Sequence, residues 1–206
     1  MTVGTPGSMS DRAALRAEFV ARSGWGDARE GLLAGDASFR KYFRLSRASG
    51  TAVVMDSPAS HEPVGPFVYI GRHLRELGLS APEILAEDLS NGFLLLEDLG
   101  DETFARVLAD GGEERELYLR ATDVLVAVHR APRHGLVPGL DAYKGEALIE
   151  AALLLPQWYL PAAAGRAVAE DDIASYRAAW RRCLVHLPAT DDALLLRDYQ
   201  DRKSVV

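Results

Sequence analysis

Apolar residues recur along this chain with two different periods, and the period changes near Gly100. Upstream it is mostly two. Phe39, Phe43 and Leu45 share one face of an extended segment, with Lys41 the exception, while Ser38, Arg40, Tyr42 and Arg44 share the other. A polar turn at Ser49-Gly50 leads into Thr51-Ala52-Val53-Val54-Met55, so the two segments predict a β-hairpin. Ala81-Pro82-Glu83-Ile84-Leu85-Ala86 reads as an edge strand, Asn91-Gly92 as a turn, and Phe93-Leu94-Leu95-Leu96 as a buried strand. Two helical stretches accompany them. Ser10 or Asp11 caps a short helix with Leu15, Phe19 and Val20 as its stripe, ended by Gly24 and Gly26. Residues 62–77 place Phe67, Ile70, Leu74 and Leu77 at helical spacing, and Gly78 suits the position just past the last turn. These elements predict a small antiparallel sheet with one helix on it, an α+β lobe over residues 1–100.

Downstream the period becomes helical. Residues 114–130 carry Leu117, Ala121, Val124, Leu125 and Val128 on one core-facing stripe. Helices are also predicted over 145–155 and over 172–185, the latter with Ile173, Tyr176, Trp180 and Leu184 aligned. The apolar run Ala193-Leu194-Leu195-Leu196 then breaks into Arg197-Asp198, the pattern of a buried strand delivering a carboxylate to a loop.

Composition narrows the classes. The 206 residues suffice for one large domain or two small lobes sharing a cleft, and a net charge of -7 with interleaved signs argues against a nucleic-acid-binding face. A single cysteine, Cys183, excludes an internal disulfide and fits a reducing compartment. No run of about 20 apolar residues and no basic-then-apolar start is visible, so a cytoplasmic protein without membrane partners is expected.

Several residues could carry chemistry. Gly35-Asp36-Ala37-Ser38, small residues ahead of a cationic strand, could let backbone N–H groups approach phosphate, with Arg40 and Arg44 adding charge; a plain turn explains them as readily. Leu96-Glu97-Asp98-Leu99-Gly100-Asp101 could offer backbone groups to a ligand or be a solvated connection. Trp158 and Tyr159 could stack on a sugar face, core packing being the default. The five histidines show no metal-ligand spacing, and no metal ligands are assigned.

In this order the segments resemble the aminoglycoside phosphotransferase/choline kinase-like superfamily, and more closely the bacterial anomeric N-acetylmuramate/N-acetylglucosamine kinases. The match runs through Gly35-Asp36-Ala37-Ser38-Phe39-Arg40-Lys41-Tyr42-Phe43-Arg44-Leu45, Val53-Val54-Met55-Asp56-Ser57-Pro58, Glu62 with Pro66-Phe67, Gly92-Phe93-Leu94-Leu95-Leu96-Glu97-Asp98-Leu99-Gly100-Asp101, Trp158-Tyr159 and Leu196-Arg197-Asp198-Tyr199. The resemblance implies a protein kinase-like fold. Residues 1–100 would form the nucleotide-binding lobe with a hinge at 96–101, and residues 101–200 an incomplete α-helical lobe ending in the catalytic loop. It implies ATP and magnesium. Gly35, Asp36, Ala37 and Ser38 would lie over the phosphates, and Glu97, Asp98 and Leu99 along adenine. Glu62 would open the helix beside the cleft, Trp158, Tyr159 and Arg197 would meet the sugar, and Asp198 would take the proton of the attacking hydroxyl.

Three departures accompany it. Met55 lies near the usual phosphate-binding lysine, a role Arg40 or Arg44 could assume. Leu196 and Gln200 replace histidines frequent in the loop, though neither would supply the base. Lys203 stands where an asparagine would hold magnesium, and the later second metal-binding aspartate is missing, so an inactive, truncated chain is expected. Asp201-Arg202-Lys203-Ser204-Val205-Val206 is also the translation of the sequencing-adapter sequence GATCGGAAGAGCGTCGTG, whose next triplet is a stop, so residues 201–206 are expected to be a non-native tail. The alternatives to an amino-sugar kinase are an aminoglycoside, choline or homoserine kinase, or a non-catalytic nucleotide- or sugar-binding module.

Overall fold

The computed structural model describes residues 9–33, 39–58, 62–131, 140, 142–187 and 193–200. By contacts the chain divides into two compact units, residues 1–138 with 197–206 and residues 139–196.

The first unit opens with helix α1 (Met9–Val20), which runs into a wider turn at Ala21–Trp25 where Gly24 takes φ 80°. Strands β1 (Arg29–Leu32), β2 (Lys41–Arg47) and β3 (Gly50–Asp56) follow, then helix α2 (Gly65–Glu76), strands β4 (Ile84–Asp88) and β5 (Phe93–Glu97), and helices α3 (Phe104–Ala109) and α4 (Glu114–Arg130). The five strands form one antiparallel sheet in the order β1-β2-β3-β5-β4. The strands and hairpin turns predicted for residues 1–100 are present. β1 is additional, and it pairs along β2 with Gly31 opposite Arg44.

The sheet is buried on both faces, not one. On one side Leu45, Ala52, Val54, Phe93 and Leu95 pack with Phe19 and Val20 of α1; on the other Met55, Leu94 and Leu96 pack with Val64 and with Val68 of α2. This is why Phe93-Leu94-Leu95-Leu96 is apolar without alternation: consecutive side chains point to opposite faces, and both are covered. Each such side chain contributes about 1.5–3 kcal/mol by leaving water. Leu15, placed on the α1 stripe by its spacing, is exposed, as is Phe39, which precedes β2 and does not join its apolar face.

Helix α1 is also held by charge. Asp56, 4% exposed at the end of β3, accepts from Arg12 Nε at 2.8 Å and from Arg16 Nη1 at 2.9 Å. The same guanidiniums lie over Phe93 and Phe43, 4.1 and 3.8 Å from the ring centres, so their stems cover apolar surface while their heads reach the carboxylate.

Helix α2 begins at Gly65 and not at Glu62, because Glu62 precedes Pro63 and the pyrrolidine ring disfavours helical backbone there. It ends as predicted, with Gly78 at φ 77° donating its N–H to Arg75 O. On α4 the five residues of the predicted stripe are the ones withdrawn from solvent, Leu117 and Val128 most fully. Residues 197–200 belong to this unit, where the Tyr199 hydroxyl donates to Ala121 O at 3.2 Å.

The second unit contains α5 (Glu146–Leu154), a wider turn at Leu155–Tyr159, α6 (Leu160–Ala164) and α7 (Glu170–Leu184). Ile149 and Leu153 of α5 are buried, and Arg177 and Arg181 of α7 reach back to Glu146, Arg177 also to Glu150. The helical path continues through Pro156, so Glu146–Ala164 is long and apolar enough to cross a membrane by length and composition, which the separate sequence segments did not suggest. Its glutamates are tied to α7, while Ile149, Leu153 and Pro156 are its only buried residues. Ala193–Leu196 forms no strand. Its residues alternate between exposed and half-buried, with Leu195 about half exposed, and no ladder partner lies beside them among the described residues.

Candidate functional site

The sheet register builds one wall of a cavity. Gly31, Arg44, Val53, Leu96 and Ile84 are cross-strand partners in one row, so the side chains of Arg44, Val53 and Leu96 project to the same face. Beyond Leu96 the chain leaves β5 through Glu97, Asp98, Leu99, Gly100 and Asp101. Between this segment and the row lies a cavity of about 280 Å³, with Leu33, Tyr42, Val53, Phe67, Leu96 and Leu99 as its apolar lining. A slot of this kind, walled by aliphatic and aromatic side chains and edged by backbone, suits a flat heterocycle.

Polar contacts fix the segment at both ends. Glu97 donates its backbone N–H to Glu83 O at 2.8 Å, and its carboxylate accepts from Glu83 N–H at 3.0 Å. Further along, Arg44 spans two carboxylates. Its Nη2 lies 3.0 Å from Asp98 and 2.9 Å from Asp101, its Nη1 2.8 Å from Asp101, and its Nε faces Asp98 Oδ2 at 2.7 Å as an off-axis ion contact without hydrogen-bond alignment. Asp98 also accepts the N–H of Gly100 at 3.0 Å, closing a turn in which Gly100 takes φ 84°, a conformation that favours glycine. Burial pushes the Asp98 carboxyl up, but hydrogen bonds from Arg44, Gly100 and Thr51 outweigh it and hold the group below its ordinary value. Asp101 is lowered mainly by its bond from Arg44, and Arg44 is raised by the bonds to Asp101 and Asp98.

The remaining sequence-predicted residues fall as follows. Arg40 and Glu62 come together, Nε to Oε2 at 3.2 Å, with the Arg40 guanidinium 6.0 Å from the ring of Phe67, a cavity residue. Glu62 therefore reaches this pair from the loop ahead of α2, not from the helix. Gly35, Asp36, Ala37 and Ser38 lie outside the described residues. Trp158 and Tyr159 are 72% and 64% exposed on the wider turn of the second unit, so they are not core residues. Arg197 has φ 58°; Asp198 is exposed and accepts from Gln200 Nε2 at 2.9 Å. The strand expected to support Asp198 is absent, as described above.

The sequence placed Asp101 in the 96–101 segment without a role for its side chain, and the cavity walls Tyr42, Val53 and Phe67 were not singled out as site residues. The available signal was the alternation that put Tyr42 on the same face as Arg44. A larger cavity of about 360 Å³ lies in the second unit among Pro156, Leu160, Val168 and Tyr176. It includes none of the residues singled out, so the slot beside Asp98 is the better candidate site.

The residues present fit one of the two implied groups. The slot can take a purine, and the Arg40–Glu62 pair places a cation beside the same wall, at Phe67. No group of three or more His, Cys, Asp or Glu that could hold a metal ion is found among the described residues, and Lys203, where the resemblance implies a metal-binding asparagine, lies outside them.

The five-stranded sheet, the helix across one of its faces and the segment leaving β5 are those of a protein kinase-like N-terminal lobe, and the chain belongs to the phosphotransferase enzyme family, whose profile matches residues 31–202. Among curated relatives, an N-acetylmuramate/N-acetylglucosamine kinase of Pseudomonas aeruginosa is 41% identical over 147 residues, covering 69% of this chain and 42% of the relative. Proteins of the same name from Caulobacter vibrioides and Pseudomonas putida are 37% and 33% identical; the matches cover 60% and 86% of this chain, and 41% and 52% of theirs. The chain thus spans about half or less of the length of these relatives.

Proposed function

We propose that the chain carries the nucleotide cleft and proton acceptor of an ATP-dependent kinase for a hydroxyl of an amino sugar, N-acetylmuramate or N-acetylglucosamine. The observation that carries the reading is the apolar slot closed by the braced 97–101 segment. The names of the relatives support the sugar. In this reading adenine lies in the slot along Glu97, Asp98 and Leu99, and Gly35, Asp36, Ala37 and Ser38 cover the phosphates, beside Arg40 and Glu62. Trp158 and Tyr159 offer flat rings to the sugar, with Arg197 beside the base. The hydroxyl oxygen forms a bond to the γ-phosphorus as the β–γ bridging P–O bond breaks; the proton passes to Asp198 and ADP departs. Magnesium in such enzymes neutralises phosphate charge. Because no residue of this chain matches the metal-binding asparagine or the later aspartate that the resemblance implies, nucleotide binding without turnover is the expected behaviour of this chain. The lone cysteine and the need for ATP suit a cytoplasmic setting.

Calorimetric titration with ATP, followed by a coupled assay for ADP release with each sugar and magnesium, tests this. Binding without ADP release is expected. A chain that does not bind ATP refutes the cleft, and magnesium-dependent phosphorylation of either sugar refutes the stated inactivity.

A further inference from the structure

Two arginines on the polar face of β2 and its lead-in are candidates for the phosphate cation, and the structure treats them differently. Arg40 pairs with Glu62. Arg44 faces two carboxylates, Asp98 and Asp101, so its guanidinium is already engaged by both. An approaching polyphosphate meets a cation already bound by two carboxylates, not a vacant one. What the cluster does instead follows from its connectivity. Arg44 belongs to a strand paired on both sides, with Gly31 and with Val53, whereas Asp98 and Asp101 flank a turn beyond the end of β5. The guanidinium fork is planar and its donors are fixed relative to one another, so two carboxylates bound to it are held at a set separation. Between them stand Leu99, which lines the slot, and Gly100, whose N–H is bound to Asp98.

We propose that Arg44 is a positioning residue for the base end of the nucleotide: it clamps Asp98 and Asp101 so that the segment between them is ordered before a ligand arrives. This rests on the nucleotide reading of the slot given above and alters it in one respect, since it removes Arg44 from the phosphate contacts and leaves that role to Arg40. A ligand that must order the segment itself binds more weakly, by about tenfold for each residue whose backbone it has to fix. The effect concerns the base and is the same whether or not phosphates are attached.

The test compares adenosine with ATP, without metal, on the 206-residue chain and on Arg44→Ala, Arg44→Lys and Asp101→Asn, together with amide hydrogen exchange of residues 98–101 without ligand. Asp101→Asn keeps Arg44 paired with Asp98 and guards against a variant that simply fails to fold. The expected result is a loss of about tenfold in Arg44→Ala, the equivalent of one backbone residue because Asp98 still accepts the Gly100 N–H, and of a few-fold in Asp101→Asn, equal for adenosine and ATP. Arg44→Lys should recover little, because an ammonium cannot span both carboxylates. Exchange at residues 98–101 should accelerate in step. A loss confined to ATP, or stronger ATP binding by Asp101→Asn with adenosine unchanged, overturns the proposal and makes Arg44 a phosphate ligand. Unchanged exchange at residues 98–101 in Arg44→Ala also overturns it. A wild-type chain that binds neither ligand refutes the nucleotide reading, and the role of the clamp with it, even where exchange shows that the clamp orders the segment.

Discussion

Replacing Asp56 by Asn tests how helix α1 is held to the sheet. The carboxylate is 4% exposed and meets two guanidiniums, Arg12 at 2.7 Å and Arg16 at 2.9 Å. Breaking a buried pair by removing one partner costs about 3–5 kcal/mol, because the remaining charge is left without compensation. Here the arginines keep other partners: Arg12 the carbonyl of Asn91 and the ring of Phe93, Arg16 the carboxylate of Glu30 and the ring of Phe43. The expected cost is therefore reduced to about 2–3 kcal/mol. Because the chain has two compact units, a single melting curve would mix them, and native-state amide exchange in β3 and β5 is the better readout. The amides that open only with the whole sheet should exchange roughly 30- to 140-fold faster. Glu116→Gln serves as a control, since its pair with Arg120 is exposed on both sides and should change exchange in α4 by less than about twofold. An Asp56→Asn variant that accelerates exchange less than about threefold would show that apolar packing by Phe19 and Val20 alone holds α1, and the reasoning from burial would fail.

Other outcomes follow from separate features. Leu95→Ala empties a fully buried site between α1 and the sheet and should lower the free energy of opening of the sheet, read from native-state amide exchange in β3 and β5, by about 2–5 kcal/mol; less than about 1 kcal/mol would mean that the sheet collapses around the gap. Asp88 at the β4–β5 turn is held below its ordinary value of 3.8 by hydrogen bonds from the Asn91 side chain, Ser90, the Asn91 backbone and Arg22. Because its folded-state value is the lower one, its stabilisation is present above the unfolded value and fades as pH falls toward the folded one. Asp88→Asn should thus flatten the acid limb of stability below about pH 5, and an unchanged limb would contradict the assignment. Gly100→Ala meets no atom within 4 Å of the added carbon, so its cost is backbone strain alone, about 1–2 kcal/mol; adenosine affinity should fall without loss of the sheet's exchange protection.

Much of the first unit was legible in the sequence because its signals are local. Period-two alternation, the Ser49-Gly50 and Asn91-Gly92 turns, and the α4 stripe all act within a few residues. The misses have non-local causes. β1 has one apolar residue in Arg29-Glu30-Gly31-Leu32 and exists through its ladder with β2, continued by Leu33 N–H to Tyr42 O. The second covered face of the sheet depends on where α1 packs, which its own stripe does not state. Ala193–Leu196 has strand-like composition but no partner strand among the described residues, and apolar alternation without a ladder makes no strand. At the candidate site, spacing revealed a cationic strand and an acidic segment separately. That Arg44 joins Asp98 and Asp101, 54 and 57 residues away, is a property of the sheet register.

The strand order has a kinetic consequence. β2–β3 and β4–β5 are each adjacent in the chain and can form as local hairpins, but β3 meets β5 only across α2 and β4. Closing that longer loop is the slow event, and until it happens one edge of β5 is an unpaired apolar template able to join another chain. The segment ending in Asp101 issues from the same strand, and its Arg44 anchor sits on the other hairpin. Refolding followed by adenosine binding and by exchange labelling of β3 should therefore give one common rate, with losses to aggregation that grow with protein concentration; binding that develops before β3 is protected would contradict it.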